Sequence, residues 1–224
     1  MQFNDDTKQN ALSEIAKAVG REEVEGFMRE FMFLQQLYNS GIKEIKTKLE
    51  ILDDEFSVRY DHNPVHHIEY RLKSPKSIIE KLQRKNHPVS VASVRENLYD
   101  VAGVRVICNY IDDIYKIVDF LTLQDDIEVV RIRDYIKNPK ENGYRSLHMV
   151  VKIPVFLSTG KESVNVEIQI RTIAMDFWAS LEHQLKYKST AKSSDRIKKL
   201  LTECADEINE VDRKMQDIYK ELFD

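Results

Sequence analysis

Glycine is scarce in this chain of 224 residues, and its 6 glycines are scattered at positions 20, 26, 41, 103, 143 and 160. Rossmann and P-loop sites need glycines close together because the backbone itself surrounds the phosphates. The pair Gly160-Lys161 departs from a P-loop, since Val155 replaces the first glycine and Glu162 replaces the Ser or Thr. If this protein binds phosphates, we expect it to use side chains.

Cysteines and long apolar runs are equally rare. A chain of this length buries roughly 70% of its unfolded surface on folding, so it needs no disulfide, and we expect Cys108 and Cys204 to stay reduced. No apolar run approaches the ~18 residues of a membrane span, and Met1–Asp6 lack the features of a signal peptide. We therefore expect a cytoplasmic protein without membrane contact.

Charge is unevenly distributed along the chain. The 34 basic and 38 acidic residues give a net charge of −4, but residues 1–55 carry 7 basic against 12 acidic groups and residues 201–224 carry 3 against 8. The stretch between them therefore has a net charge of +6. This pattern is typical of solvated acidic helices around a basic centre.

Hydrophobic periodicity predicts an α+β fold in one domain over residues 1–224. Apolar residues recur at helical spacing in residues 1–56, with Gly41 as a break, and again in residues 191–224. These helical extensions would cover the core or join subunits. Recruitment of another protein through a coiled coil is the alternative, although the chain has no clean heptad repeat. Residues 57–190 predict a core with a five-stranded sheet flanked by helices.

Alternating β-branched segments define the strands of this core. They are predicted over residues 68–73, 101–108, 127–133, 147–155 and 164–170. Helices between or after them are predicted to begin at Ser74, Ser90, Asp112 or Asp113, and Thr172. Because the connections are both hairpin-like and helical, we expect a mixed sheet.

Residues 71–85 form a basic segment with 6 basic residues and 1 acidic residue. Arg71 and Lys73 share one strand face, and polar side chains follow at helical spacing at Ser77, Lys81, Arg84 and Lys85. A solvated basic face is the simplest interpretation. A phosphate site is the alternative, because like charges on successive helical turns repel each other unless an anion lies among them.

Two carboxylates stand beside predicted strands of the basic centre. Asp100 precedes an apolar strand that contains Arg105. A buried ion pair between the two is one interpretation, although residues at an even and an odd position of a regular strand point to opposite faces. Glu167 lies on the polar face of the strictly alternating segment 164–171, which is alternatively an ordinary exposed face. Together, Asp100 and Glu167 would form a cage for Mg²⁺ that also holds phosphate oxygens.

A turn-rich loop before the fourth predicted strand combines aromatic and cationic side chains. Asn142-Gly143 predicts a turn, and on its own indicates no more than a hairpin. An exposed Tyr144 between Lys140 and Arg145 would offer its ring to a nucleotide base, with cations nearby for the phosphates. Gly143 would let the backbone approach that nucleotide.

In combination, these segments resemble the synthetase domain of the RelA/SpoT family over about residues 20–215. The four motifs Arg-x-Lys-Ser, Asp-Val-Ala-Gly-Val-Arg-Val, Pro-Lys-x-Asn-Gly-Tyr-Arg-Ser-Leu-His and Glu-Ile-Gln-Ile-Arg-Thr begin at Arg71, Asp100, Pro139 and Glu167. The length is similar to that of a small alarmone synthetase, closest to the RelP type. The resemblance implies a nucleotidyltransferase-like fold that transfers pyrophosphate from ATP to the 3′-hydroxyl of GDP or GTP, giving ppGpp or pppGpp.

The resemblance also implies roles for individual residues toward ATP. Arg71 and Arg105 would sandwich the adenine. The ATP phosphates would be held by Lys73, Ser77, Lys81 and Arg84. Asp100 would bind Mg²⁺, and Glu167 would help to hold the metal and take the proton from the acceptor 3′-hydroxyl.

Toward GDP or GTP, the resemblance implies that Tyr144 stacks on guanine. The acceptor phosphates would be contacted by Arg133, Lys140 and His148. On this side Gln169 and Arg171 would support Glu167. Asp176 stands near the guanine where many relatives carry Asn, and its carboxylate would still accept from N1–H and the exocyclic amine.

The resemblance also implies which domains and which assembly to expect. The 224 residues leave no room for the hydrolase and regulatory domains of long relatives, so we expect synthesis without hydrolysis. We expect a homotetramer joined by the terminal helices, and RNA remains open as a regulatory partner. His62, His66 and His67 are predicted to lie in a surface loop, because the cluster lacks the acidic partners of a metal site.

Two other functions would use the same residues. An RNA-binding module would use the basic sheet face and Tyr144, but Asp100 and Glu167 would then repel the RNA backbone. A nucleotidyltransferase of other specificity would use the same two carboxylates to transfer a nucleotidyl group.

Overall fold

The computed structural model describes residues 24–188 and 195–223. The elements are, in chain order, α1 (Val24–Arg59), β1 (Val65–Leu72), α2 (Pro75–Arg84), α3 (Val91–Asn97), β2 (Ala102–Cys108), α4 (Ile111–Thr122), β3 (Glu128–Asp134), β4 (Leu147–Leu157), β5 (Gly160–Thr172), α5 (Ile173–Lys188) and α6 (Asp195–Phe223). The part of the predicted N-terminal helices before residue 24 lies outside the described residues. Among the helices that are described, none is both long and apolar enough to cross a membrane.

The five strands form one mixed sheet in the order β1-β2-β5-β4-β3. β2 and β5 run parallel, whereas the other neighbouring strands are antiparallel. A tight turn joins β4 to β5 at Gly160, whose φ of 129° is accessible to glycine. The α+β class and the mixed five-stranded sheet that the periodicity predicts are therefore confirmed.

Local sequence explains where most helices begin. The Ser74 side chain caps α2 by accepting a hydrogen bond from the N–H of Ser77 at 3.3 Å, and Ser90 caps α3 in the same way. α4 begins slightly earlier than predicted. The reason is that the Asp113 carboxylate accepts from the N–H of Tyr110 at 3.2 Å, which makes Tyr110 the residue before the first turn.

Helix α1 is continuous through Gly41, so the predicted break at this glycine is wrong. A Cβ atom on Gly41 would overlap Cγ1 of Val164 and lie 3.2 Å from Cγ2 of Val166. The glycine therefore allows α1 to approach β5 closely, and it does not end the helix.

One face of the sheet is buried beneath α1 and α4. The cluster that fills this interface includes Leu34, Ile45, Leu49, Ile114, Ile117, Val104, Val106, Val166 and Ile168. Because side chains alternate between the two faces of a strand, the polar residues of β2 and β5 point to the other face. The candidate functional groups therefore share the face opposite the core.

Helix α6 docks on the core through polar contacts. Asp212 accepts from the Thr172 hydroxyl at 2.7 Å, and the Gln216 side chain accepts from the N–H of Asp112 at 2.9 Å. Lys220 lies 2.6 Å from the carboxylate of Asp112. These contacts attach the C-terminal helix to the end of β5 and to the start of α4.

The prediction that the histidine cluster lies in a surface loop is wrong for two of its three members, whereas His62 does lie in the irregular segment between α1 and β1. His66 and His67 belong to β1. His62 is hydrogen-bonded through Nε2 to Oδ2 of the buried Asp113 at 2.8 Å. His62 therefore has an acidic partner, and this contact links the segment before β1 to the start of α4.

Candidate active site

Five polar side chains form one row across the whole sheet, each from a different strand. Consecutive Cα partners in the strand register are Glu69 on β1, Arg105 on β2, Gln169 on β5, His148 on β4 and Arg133 on β3. Such directly opposed residues lie on the same face and interact across the strands. The register thereby brings residues predicted for ATP and for the acceptor nucleotide onto a single surface.

A cleft of about 400 Å³ opens over the β1, β2 and β5 part of this row. The side chains that line it include Arg71, Lys73, Asp100, Arg105, Glu167 and Gln169. Glu167 is the Cα partner of Gly103, three residues beyond Asp100 on the parallel neighbouring strand. The structure thus places both predicted carboxylates in one cleft with predicted ATP-binding residues.

Asp100 is surrounded by two lysines from the basic segment. Oδ2 of Asp100 lies 2.8 Å from Nζ of Lys73 and 2.5 Å from Nζ of Lys81, whereas Oδ1 is buried without a hydrogen-bond partner. Burial alone would raise the pKa of Asp100, but the hydrogen bonds from Lys73 and Lys81 outweigh burial and lower that pKa. Asp100 therefore stays ionised in the cleft, and its partners are these lysines and not Arg105.

Glu167 is held by a chain of hydrogen bonds along β5. Nη2 of Arg171 donates to Gln169 at 2.9 Å, and Nε2 of Gln169 donates to Oε2 of Glu167 at 2.9 Å. His148 Nδ1 lies 3.6 Å from the other oxygen, Oε1. Burial opposes ionisation of Glu167, yet the contacts with His148 and Gln169 prevail and lower its pKa. The side chain is therefore oriented and kept as a carboxylate.

The cleft fits a hard divalent cation that also binds a substrate. The unpartnered Oδ1 of Asp100 and the carboxylate of Glu167 are oxygen donors of the kind that Mg²⁺ prefers. In the described ranges, no group of three or more His, Cys, Asp or Glu side chains could hold a metal ion. A cation at this position would therefore complete its coordination with water or with phosphate oxygens.

Asp176, near the start of α5, lies between two guanidinium groups. Its Oδ1 is buried, 3.6 Å from Nη1 of Arg105 and 3.4 Å from Nη1 of Arg171. Arg105 also contacts Glu69 at 2.9 Å. Asp176 therefore connects an arginine predicted for ATP with one predicted for the acceptor side, a link that the sequence does not predict.

Tyr144 is half-buried, so the prediction that it is exposed is wrong. Nζ of Lys140 lies 4.6 Å from the centre of its ring, and the guanidinium of Arg171 lies 5.7 Å from it. The hydroxyl is within 2.8 Å of Nε2 of His148. Burial raises the pKa of Tyr144 and outweighs the effect of Arg171. The structure thus brings Tyr144, Lys140, His148 and Arg171 together beside Glu167.

The remaining predicted residues lie at the margins. Arg84 is exposed in the last turn of α2, beyond Lys81, and Arg133 is exposed on the edge strand β3. The Ser77 hydroxyl accepts a hydrogen bond from Ser74 at 2.9 Å. These three side chains do not line the cleft.

Arg145 and Gly143 have a different setting from the one that the sequence suggests. The sequence predicts that Arg145 offers its charge to phosphates, but it contacts Asp206 on α6 at 2.9 Å. Gly143 is predicted to let a nucleotide approach, but a Cβ atom there would lie 2.5 Å from the Cβ of Ala205. Both residues face α6, so neither expectation holds.

Two further side chains belong to this surface and are missed by sequence reasoning. Glu69 pairs with Arg105, and its alternation with Arg71 on β1 is a signal that both share one face. The Tyr135 ring lies 4.6 Å from Nζ of Lys140 and packs edge-on against His148, with 5.2 Å between ring centres. The sequence offers no comparable signal for Tyr135, because the contact depends on the path of the loop.

Comparison with known proteins shows which family the chain is similar to. Residues 70–192 match the family model described as the region found in RelA / SpoT proteins. GTP pyrophosphokinase YwaC of Bacillus subtilis is 42% identical over 83% of this chain and 89% of that protein, and GTP pyrophosphokinase YjbM of the same organism is 37% identical over 83% and 86%.

Solved structures give the same result. The crystal structure of small alarmone synthetase 1 from Bacillus subtilis bound to its product pppGpp superposes with a TM-score of 0.77 at 36% identity, covering 84% of this chain and 95% of that one. Small alarmone synthetase 2 from the same organism has a TM-score of 0.78 at 41% identity, covering 86% and 99%. Because the family model spans more than half of the chain and these relatives match along most of their length, the chain belongs to the RelA/SpoT family.

Proposed function

We propose that this protein is a GTP pyrophosphokinase that transfers the β,γ-pyrophosphate of ATP to the 3′-hydroxyl of GDP or GTP, which produces ppGpp or pppGpp and releases AMP. The relatives named GTP pyrophosphokinase match it over 83% of its length, and the synthetase structure bound to pppGpp shares its fold. The observation that carries the proposal is the pair of ionised carboxylates, Asp100 and Glu167, in one cleft with Lys73 and two arginines.

The ATP half of the site would lie over β1, β2 and α2. Arg71 and Arg105 would sandwich the adenine, since they lie on adjacent strands, and the polyphosphate would be held by Lys73, Ser77, Lys81 and Arg84. In this assignment the two lysines next to Asp100 transfer their contacts to the phosphates when ATP binds. Asp100 Oδ1 and Glu167 would hold Mg²⁺, which when bound supplies charge neutralisation at the β- and γ-phosphates.

Glu167 would act as the base. It would take the proton of the acceptor 3′-hydroxyl as that oxygen attacks the β-phosphorus of ATP, and AMP would leave with the electrons of the broken bond. A carboxylate that is ionised at neutral pH is ready to accept this proton. Gln169, itself held by Arg171, would fix the direction of the accepting oxygen.

The acceptor half would lie over β3, β4 and the loop that joins them. Tyr144 would stack on guanine, and the phosphates would be contacted by Arg133, Lys140 and His148. Lys140 would have to leave the face of the Tyr144 ring, over which it now lies. Asp176 would sit at the guanine edge and hold Arg105 and Arg171 in place.

Assembly and location are part of the same proposal. We infer that the protein is a homotetramer in the cytoplasm. A subunit interface is supported by helices α5 and α6, which carry exposed apolar side chains at helical spacing. These side chains are Ile173, Phe177, Leu181 and Leu185 on α5, and Val211, Met215, Ile218 and Leu222 on α6. Exposed apolar stripes of this kind are typical of protein interfaces. Light scattering on the purified protein would give the number of subunits.

A product analysis tests the proposed reaction. We expect purified protein with ATP, GDP and Mg²⁺ to form AMP and ppGpp, and the variants Asp100→Asn and Glu167→Gln to fold but to form neither. Glu162→Gln is the matched control, because Glu162 is a carboxylate on the same strand outside the cleft. Release of pyrophosphate with a nucleotide-tagged product would indicate a nucleotidyltransferase. An inactive protein that binds RNA would support the RNA-binding alternative.

A further inference from the structure

Arg145 joins the acceptor loop, residues 135–146 between β3 and β4, to helix α6. Its guanidinium donates to the carbonyl oxygens of Gly143 at 3.0 Å and Ala205 at 3.2 Å, and to Oδ1 of Asp206 at 2.9 Å. The Arg145 side chain is 12% exposed, so a largely desolvated charge makes these three hydrogen bonds. A single side chain therefore attaches the loop backbone to one turn of α6.

The backbone of the loop touches the same turn of α6. Gly143 has a φ of 85°, and a Cβ atom on it would lie 2.5 Å from the Cβ of Ala205 and 3.5 Å from the Cα of Thr202. Only glycine combines this backbone angle with so close an approach. The loop is therefore fitted to α6 at Gly143 as well as tied to it by Arg145.

A third contact attaches the loop to α5. Nδ2 of Asn142 donates to the buried Glu182 at 3.1 Å, while Oδ1 of Asn142 accepts from the N–H of Tyr144 at 3.3 Å. Tyr144 therefore lies between the attachment points at residues 142, 143 and 145. Its own ring faces the site, where the hydroxyl meets His148 at 2.8 Å.

Resting on the function proposed above, we propose that Arg145 and Asp206 are positioning residues for the acceptor nucleotide. We call the contacts of Arg145 with Ala205 and Asp206 the clamp. The clamp attaches the acceptor loop to α6 and thereby fixes the orientation of Tyr144, on which guanine would stack. The residues assigned to ATP lie on other elements, namely β1, β2, α2 and the short segment that joins β1 to α2. Loss of the clamp should therefore weaken binding of the acceptor and leave binding of ATP unchanged.

Steady-state kinetics on two substitutions test this assignment. Arg145→Lys keeps the charge but cannot reach all three acceptors, and Asp206→Asn removes the charged partner from an exposed position. We expect the KM for GDP to rise about tenfold in Arg145→Lys, because hydrogen bonds of a largely buried charge are lost. The rise should be smaller in Asp206→Asn, roughly two- to fivefold, because the Asp206 side chain is 62% exposed and Asn keeps an oxygen that accepts from Arg145. The KM for ATP should stay within about twofold, since it reports the unaltered half. Melting curves should show that both variants are folded.

Gly143 provides an independent variant of the same clamp. Gly143→Ala introduces a methyl group against Ala205, so it should raise the KM for GDP in the same selective way. The double variant Gly143→Ala/Ala205→Gly removes that collision and should recover part of the loss. Glu203→Gln is the matched control on α6, because Glu203 contacts Lys199 of the same helix at 3.8 Å and should leave both KM values unchanged.

The outcomes separate this inference from the proposed reaction. Equal rises in both KM values, no rise in either, or the same rise with Glu203→Gln would overturn the positioning role while the reaction stands. A wild-type protein that forms no ppGpp would overturn the reaction. In that case, calorimetric titration with GDP would test the positioning role separately. That role would stand only if Arg145→Lys and Asp206→Asn weaken GDP binding.

Discussion

Lys81 donates to Asp100 at 2.5 Å, on the same carboxylate oxygen that Lys73 contacts, while the other oxygen is buried and unpartnered. The carboxylate proposed for metal binding is therefore neutralised by two ammonium groups. The phosphates of ATP would attract the same two lysines, because opposite charges interact strongly in a partly buried cleft. Cation binding and ATP binding should therefore be coupled at this site.

The first prediction concerns that coupling. We expect Mn²⁺ to bind the nucleotide-free wild-type protein weakly and to bind more tightly once ATP is present. Lys81→Met removes one of the competing cations, so it should raise the affinity for Mn²⁺ without nucleotide by about tenfold and lower the affinity for ATP. Electron paramagnetic resonance titration of free Mn²⁺ measures the first effect.

Lys76 offers a matched control for this experiment, since it is an exposed lysine on the same helix. Lys76→Met should leave Mn²⁺ binding unchanged. If Lys81→Met also leaves it unchanged, the two lysines do not compete with a cation for Asp100, and the coupling is wrong.

The second prediction concerns the pH dependence of the reaction. The folded pKa of Glu167 lies below its ordinary value, so Glu167 stays ionised as the pH falls and loses its charge only below that value. Gln169→Leu removes a hydrogen bond to the carboxylate but keeps the burial that raises its pKa. We therefore expect the acidic limb of kcat/KM, which reports the free enzyme, to move to higher pH in this variant. Asn165→Leu, on the same strand face but outside the cleft lining, should not move it.

Much of this site follows from alternation along strands. The strict alternation of β5 is enough to place Glu167, Gln169 and Arg171 on one face, and the Ser74 cap marks the start of α2. Both signals are local, because a strand repeats every two residues and a cap needs only the next turn. Local rules therefore explain the polar face that carries Glu167 and the start of the basic helix, whereas the pairing of β2 with β5 brings Asp100 and Glu167 into one cleft.

Other features depend on contacts between distant segments. Gly41 predicts a helix break because glycine is a poor helix former, but its distance from Val164 decides its role. The partner of Arg145 lies 61 residues further along the chain. A single sequence has no local pattern that shows such distant residues in contact. The predictions for Gly41 and Arg145 are therefore wrong, because packing between separate elements determines the setting of both residues.

The third prediction concerns stability and Asp212 on α6. Burial raises the pKa of this carboxyl group and outweighs the hydrogen bond from Thr172. A raised folded pKa means that ionisation favours the unfolded chain, so this contribution to stability is lost as the pH rises from the unfolded pKa to the folded one. Asp212→Asn keeps an oxygen that accepts from Thr172, so it should stabilise the protein at pH 7 and have little effect below about pH 4. Urea denaturation at both pH values measures this.

Asp217 on the same helix is exposed and serves as the control for Asp212. Asp217→Asn should give no such pH-dependent gain. A destabilised Asp212→Asn variant at pH 7 would contradict the prediction, because it would mean that the ionised carboxylate contributes favourably to the folded state.

The last prediction concerns the contact of α1 with β5. Gly41→Ala places a methyl group against Val164, which is 4% exposed and has the sheet behind it, so little room exists for relaxation. Overpacking of this kind costs about 1–3 kcal/mol, which exceeds the roughly 0.5–1 kcal/mol that alanine contributes to a helix relative to glycine. We expect a net loss of stability, measured as a lower midpoint of denaturation.

Gly26 makes this test specific, because it lies in the same helix and a Cβ atom there would meet nothing within 4 Å. Gly26→Ala should therefore stabilise the protein, by roughly 0.5–1 kcal/mol, while the same substitution at Gly41 destabilises it. Opposite signs for one chemical change in one helix would show that Gly41 is required for close packing. If both variants were stabilised alike, helix propensity alone would govern the two positions, and the close approach of α1 to β5 would not limit the side chain at residue 41.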